Sequence, residues 1–250
     1  MAPPTIYRNV ESVLNVLNSY KGDNTQGVNA LLQIYSNALN IFKENDKKSV
    51  TTKTHPFIIL EGLDGCGKST TAKRLAKTMR AVQWCTPPES IKHIRHLFDD
   101  HPQLRSAYYA LGNYIAALEV SVLLKQQPVV MDRYWHSTAA FAIAQAVHDF
   151  PQEVDMPPEG DKFYEWPQDL LKPNAVLFLH VTEDVRLQRL SRRTVSTSQE
   201  KLLKSTTQFR DNIILAYRNM INPEAIFINS NNGFTAVISE IKNKIDHLFQ

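Results

Sequence analysis

A chain of 250 residues has room for one sizeable α/β core with a small appendage, and it excludes two large domains. With 43% hydrophobic and 21% charged residues and a formal net charge of only +3, it has the composition of a globular enzyme and lacks the global positive field of a nucleic-acid polymer binder. Cys66 and Cys85 are too few for a disulfide framework and read as reduced thiols inside a cell, and no apolar run reaches the ~20 residues of a membrane span.

Val10, Val13, Leu14 and Leu17 recur at helical spacing, as do Leu31, Leu32, Ile34, Tyr35, Leu39 and Ile41, with a turn from Lys21 between the two groups. Residues 43–55 are polar with little to bury and read as a linker. Residues 1–55 are therefore expected to be a helical N-terminal extension and linker, and 56–250 the main domain. From Pro56 the pattern becomes short apolar runs, each followed by a helical stretch, which predicts a parallel sheet with crossover helices. Residues 57–60, 128–131, 175–181 and 225–229 are the predicted buried strands, with 83–85 a weaker one. Residues 150–173, rich in proline, are expected to form an ordered, irregular connection beside the substrate cleft. Val237, Ile241, Ile245 and Leu248 stripe a closing amphipathic helix.

Residues 62–69, GLDGCGKS, match G-x-x-x-x-G-K-[ST] between an apolar strand and a helix carrying Ala72, Leu75 and Met79. Such a loop turns backbone N–H groups and a helix N-terminus toward phosphate oxygens. Lys68 supplies a mobile charge for the β- and γ-phosphates, and the Ser69 hydroxyl is the expected Mg²⁺ ligand. Asn243, Lys244 and Asp246 spell the guanine-reading N-K-x-D, but they lie in the terminal helical stripe and read as a solvated face.

The strand ending at Met131 runs into Asp132, Arg133 and Tyr134. Arg133 can grip an acceptor phosphate with two parallel bonds, while Asp132 can support Mg²⁺ or orient Arg133. After the strand at 175–181, Arg186, Arg189 and Arg193 fall near i, i+3, i+7, so one helix face is expected to carry guanidinium groups toward the cleft mouth as a lid.

Segments 57–71 (FIILEGLDGCGKSTT), 132–137 (DRYWHS) and 172–179 (KPNAVLFL) resemble the thymidylate kinase superfamily over residues 56–250. Within it, LGNY at 111–114, DRYWHST at 132–138 and YEWPQDLLKP at 164–173 are most similar to the mitochondrial UMP-CMP kinase branch. The resemblance implies a P-loop NTPase three-layer α/β sandwich with a central parallel sheet. It also implies ATP as donor, Mg²⁺, a pyrimidine nucleoside monophosphate (dUMP, dCMP, UMP or CMP) as acceptor, a mitochondrial setting, and a homodimer through helices flanking the sheet.

By position, Gly62, Leu63, Asp64, Gly65, Cys66, Gly67, Lys68, Ser69 and Thr70 would bind the ATP phosphates, and Arg189 would stack on adenine. Ser69 and Asp132 would hold the metal; Asp64 would face the acceptor sugar, Arg133 its phosphate and Phe141 its base, with Tyr109 and Asn113 in the same pocket. The phosphate loop lacks the arginine that other members place there, which points to Arg192 or Arg193 as the catalytic lid cation. Tyr114 stands where thymidylate kinases carry an arginine toward pyrimidine O4, so thymine preference is not expected, and Arg95 or Arg105 is the candidate for a missing phosphate contact near Ser90. Three other readings share these motifs: a thymidylate kinase, a deoxynucleoside kinase, and a catalytically idle nucleotide-binding scaffold.

Overall fold

Continuous apolar runs become strands covered on both faces. In the computed structural model, which describes residues 6–22, 25–48, 54–191, 203 and 206–249, they are β1 (Phe57–Glu61), β2 (Val82–Cys85), β3 (Val129–Asp132), β4 (Ala175–His180) and β5 (Ala225–Asn229). They form one parallel sheet in the order β2-β3-β1-β4-β5. The predicted strands agree with these to within a residue or two at their ends.

Alternation along the strands divides the core between two faces. Phe57, Ile59, Val129, Met131, Val176 and Phe178 point to one side. There they meet α5 (Pro102–Leu123), α6 (Trp135–Asp149) and α8 (Thr207–Asn219). Ile58, Leu60, Val130, Leu177 and Leu179 point to the other, against α3 (Lys68–Met79) and α9 (Phe234–Ile245). The result is a three-layer α/β sandwich with a central parallel sheet. Two short helices, α4 (Glu89–Lys92) and α7 (Glu183–Leu190), sit at the carboxyl ends of the strands. The register pairs Leu60 with Asp132, so the chain leaving β1 and the chain leaving β3 emerge side by side. Ligands bind in such a crevice in open α/β sheets.

At the N-terminus, α1 (Val10–Ser19) and α2 (Thr25–Lys48) pack on α5. Asn9 caps α1 by accepting the Ser12 N–H at 2.8 Å. The reading of 43–55 as linker is corrected in part, because α2 continues to Lys48. Its last turns need no apolar stripe: Asn45 bonds the Ile41 carbonyl at 2.8 Å, and Asp46 pairs with Lys125 of the loop after α5 at 2.9 Å.

Residues 150–173 are irregular, as expected, and they pack on the start of α6 and on α5. Trp166 sits 5.3–5.4 Å, centroid to centroid, from the rings of Tyr134, Trp135 and His136. Asp169 accepts both the Val10 N–H and the Tyr114 hydroxyl at 2.7 Å, which fastens the N-terminal segment to α5.

Candidate active site

Beyond β1 the chain turns so tightly that side chains are excluded. A Cβ at Gly62 (φ +137°) would lie 2.4 Å from the Leu179 carbonyl oxygen, and one at Gly65 (φ +91°) would lie 2.9 Å from that of Arg186. α7 thus packs where a side chain at position 65 would start. Lys68 opens α3 and is only 6% exposed; its Nζ donates to the Leu63 carbonyl at 3.0 Å and lies 3.8 Å from Asp64. The positive end of α3 and this ammonium face the same space.

From the neighbouring strand, Asp132 reaches the loop. Ser69 Oγ donates to Asp132 Oδ2 at 2.5 Å, joining residues 63 positions apart. The other carboxylate oxygen, Oδ1, is buried without a hydrogen-bond partner. Two hard oxygen ligands, one still seeking a partner, fit Mg²⁺, which uses few protein oxygens and takes the rest from phosphate and water. Asp132 therefore goes to Ser69 and does not orient Arg133.

Arg133 is oriented by other groups. Its backbone is left-handed (φ +67°), its NH2 donates to Asp64 Oδ1 at 2.5 Å and its NH1 to Ser137 Oγ at 3.0 Å. Burial works against its charge, but Asp64 and then Tyr217, Glu61 and Asp132 outweigh it and hold the guanidinium above its ordinary pKa. The Phe141 ring lies 5.6 Å from the guanidinium carbon. Beneath it Glu61 is fully buried and accepts from Tyr134 N (2.9 Å), Ser137 N (3.2 Å), Ser137 Oγ (2.5 Å) and Tyr217 OH (2.8 Å). Burial raises this carboxyl, against the opposing pull of Arg133 and its hydrogen-bond donors.

Asp64, Lys68, Ser69, Asp132 and Arg133 line one cleft of about 280 Å³ together with Gly65, Gly67, Cys85, Thr86 and Lys92. Lys92 escaped the sequence reading; its side chain is 42% exposed and bound to Glu89 at 2.6 Å. That hydrogen bond, ahead of the opposing effect of burial and the help of Cys85, raises the ammonium. Its position on a four-residue helix left no periodic signal.

The other candidates lie around this cleft. Gly62, Leu63 and Cys66 are buried in the loop, and Thr70 is exposed on α3. Arg189 packs behind the loop, donating to the Cys66 carbonyl at 3.0 Å and the Ser230 carbonyl at 2.9 Å. Arg95 bonds the Tyr109 hydroxyl at 2.8 Å and Asp99 at 3.2 Å, and neither it nor the half-buried Arg105 is among the cleft-lining residues. Asn113 is 2% exposed and donates to Thr138 Oγ1 at 3.0 Å, away from the phosphate loop. Arg192 and Arg193 lie outside the described residues, as do residues 194–202.

Arg186 departs from the expected lid face. It is 1% exposed and turned inward, donating to Glu183 at 2.7 and 2.6 Å, to the Asp64 carbonyl at 3.2 Å and to the Leu203 carbonyl at 3.2 Å. It braces the loop from below. The Glu183 spacing at i−3 was the available signal for such a pair.

Two anion-seeking groups, one opening α3 and one directly following β3, with a metal-fitting oxygen pair in the same cleft, are what a phosphotransferase needs, and comparison with known proteins agrees. Residues 60–241 match the family model described as thymidylate kinase. The chain is 38% identical over 204 residues to human "UMP-CMP kinase 2, mitochondrial"; the match covers 81% of this chain and 45% of that protein, so the chain spans less than half of that relative's length. It is 28% identical over 200 residues to a probable thymidylate kinase of Methanococcus maripaludis, covering 77% of this chain and 90% of the relative. Among solved structures, thymidylate kinase from Candida albicans superposes with a TM-score of 0.58 at 18% identity, covering 79% of this chain and 93% of that one. Deoxyadenosine kinase from M. mycoides does so at 0.53 and 17%, covering 76% and 99%. These two speak to the fold alone. With most of its length under the family model, and with the paired β1 and β3 loops that a nucleotide kinase requires, the chain belongs to the thymidylate kinase family.

Proposed function

We propose that the chain transfers the γ-phosphoryl group of ATP to a pyrimidine nucleoside monophosphate, with dUMP, dCMP, UMP and CMP as acceptors. The observation that carries the reading is the convergence of Lys68 and Arg133 on one cleft, with Asp64 between them. Two polyanionic tails meeting end to end need a fixed cation for each, and the reaction needs little else from the protein besides alignment and charge stabilisation. Lys68 and the α3 N-terminus hold the donor tail. Arg133, with Lys92 at the rim, holds the acceptor phosphate. Ser69 and Asp132 would hold Mg²⁺, which when bound neutralises charge on the donor phosphates. Arg192 and Arg193 are placed by sequence alone to complete the charge stabilisation, and Arg189 to flank the adenine. Residues 1–55 are read as an extension, and the mitochondrial setting rests on the human relative's name.

A deoxynucleoside kinase would need a carboxylate free to take a sugar hydroxyl's proton. Here Asp64 is engaged by Arg133, Asp132 is bound to Ser69 through one oxygen with the other assigned to the metal, and Glu61 is fully buried under four donated bonds. That supports a phosphate acceptor over a hydroxyl one. The test is ADP release from ATP and Mg²⁺ over a panel of nucleoside monophosphates and free nucleosides. Turnover with CMP, UMP and their deoxy forms is expected. Turnover with deoxycytidine but none with dCMP would overturn the reading, and tight ATP binding without any transfer would favour the scaffold.

A further inference from the structure

A second, small pocket of about 10 Å³, room for roughly one water, lies between α5, α6 and the N-terminal segment. Ile6, Tyr7, Asn113, Tyr114, Trp135 and Thr138 are among its walls. Tyr7 is only 7% exposed, and its hydroxyl is buried without a hydrogen-bond partner. A buried hydroxyl left unpaired costs free energy, and native structures rarely leave one so without a use. Packing alone would be served as well by phenylalanine.

The segment is fastened in place. Asp169 takes the Val10 N–H and the Tyr114 hydroxyl at 2.7 Å each, Arg8 bonds Glu165 at 2.6 Å, and Tyr20 bonds Gln103 at 2.6 Å. Tyr7 is thereby held against α5 and α6 at a defined place. That place adjoins the acceptor anchor: Ser137, which bonds Arg133, is followed by Thr138, which bonds Asn113 and lines the cavity. A nucleoside monophosphate gripped by Arg133 and extending along the first turn of α6 would bring its base toward Thr138 and its partner Asn113. One amide hydrogen of Asn113 is used on Thr138, which leaves its carbonyl and other hydrogen to read a ring edge.

We infer that Tyr7 is a specificity-determining residue: the N-terminal segment forms the far wall of the acceptor pocket, and the Tyr7 hydroxyl, with Asn113, reads the polar edge of the pyrimidine ring directly or through one water. The inference rests on the proposed kinase reading. A hydroxyl can donate or accept, so it suits a 4-amino and a 4-oxo edge alike.

Tyr7→Phe keeps the ring and removes one oxygen. With the full chain, calorimetry would read the Kd for CMP, UMP, dCMP and dUMP, and ADP release would read KM and kcat. Pyrimidine monophosphate Kd and KM should rise roughly 3- to 10-fold, the value of one hydrogen bond. The KM for ATP should stay unchanged, and Tm should be equal or higher because an unpaired buried hydroxyl is gone. Unchanged acceptor affinity with a raised Tm would assign Tyr7 to packing and overturn the inference. An equal loss for ATP would also overturn it, as general loosening. If the wild-type chain neither binds nor phosphorylates any monophosphate, the kinase reading falls and takes this inference with it. If it does both, and Tyr7→Phe matches it, only the inference falls.

Discussion

Replacing Arg133 by alanine is the sharpest perturbation of the acceptor anchor. An arginine offers five donors; NH2 is used on Asp64 and NH1 on Ser137, leaving three for a ligand. A phosphate gripped by two of them gains charge-assisted bonds of about 1.5–3 kcal/mol each, so losing both raises the barrier from free enzyme and acceptor by about 3–6 kcal/mol. That is a drop of roughly 10²- to 10⁴-fold in kcat/KM for the acceptor. The fold should survive: Asp64 keeps Lys68 at 3.8 Å, and Ser137 keeps Glu61 at 2.5 Å. ADP release at varied CMP and saturating ATP measures the loss, and ATP affinity and thermal melting serve as controls. Acceptor kinetics within about 3-fold of wild type, in a chain that melts normally, would refute the assignment of Arg133 to the acceptor.

Lys92→Met should raise acceptor KM by roughly 3- to 10-fold while melting is little changed, since its partner Glu89 is 86% exposed and surface pairs contribute little; unchanged KM would confine Lys92 to the surface. Ser69→Ala should raise the Mg²⁺ concentration for half-maximal turnover by about 10-fold or more, because Asp132 alone then offers a protein oxygen; an unchanged Mg²⁺ titration would remove Ser69 from the metal. Burial depresses His136 to about 4, with its Nε2 on the Pro223 carbonyl at 3.0 Å partly opposing. Between pH 6.5 and 4 the unfolded chain takes a proton that the folded chain refuses, so stability falls with pH across that window by about 3 kcal/mol. Urea midpoints of wild type against His136→Phe should diverge there, and parallel pH dependences would contradict the shift.

The strands were legible because parallel strands buried on both faces leave unbroken apolar runs, such as the four hydrophobic residues that open β1. The phosphate loop was legible because its chemistry is local, eight residues running from the end of a strand into the first turn of a helix. What depends on distant pairing was not. Lys92 enters the cleft only through the path of the chain after β2, and nothing in its neighbours marks it. Arg186 sits in an arginine-rich helix that looks like a solvated or lid face, yet it is drawn inward by Glu183 and two carbonyls. The end of α2 was hidden for the opposite reason, since a polar helix tail carries no hydrophobic period.

Glu61 is the residue whose role follows only from the assembled fold. A carboxylate at the end of a central strand, with no exposed surface, ought to be a liability. Here it accepts the N–H groups of Tyr134 and Ser137, which begin α6 and would otherwise be orphaned, so β1 supplies the cap that α6 lacks in its own sequence. The cap fixes the chain immediately after Arg133, whose left-handed backbone costs on the order of 1–2 kcal/mol for a residue other than glycine. Tyr217 closes the same carboxylate from α8, and Ser137 links it to the guanidinium. Buried charge, unfavourable turn and anchoring arginine are therefore parts of one arrangement. Together they hold a cation rigidly beside the phosphate loop before any ligand arrives, and such preorganisation is what phosphoryl transfer draws on most.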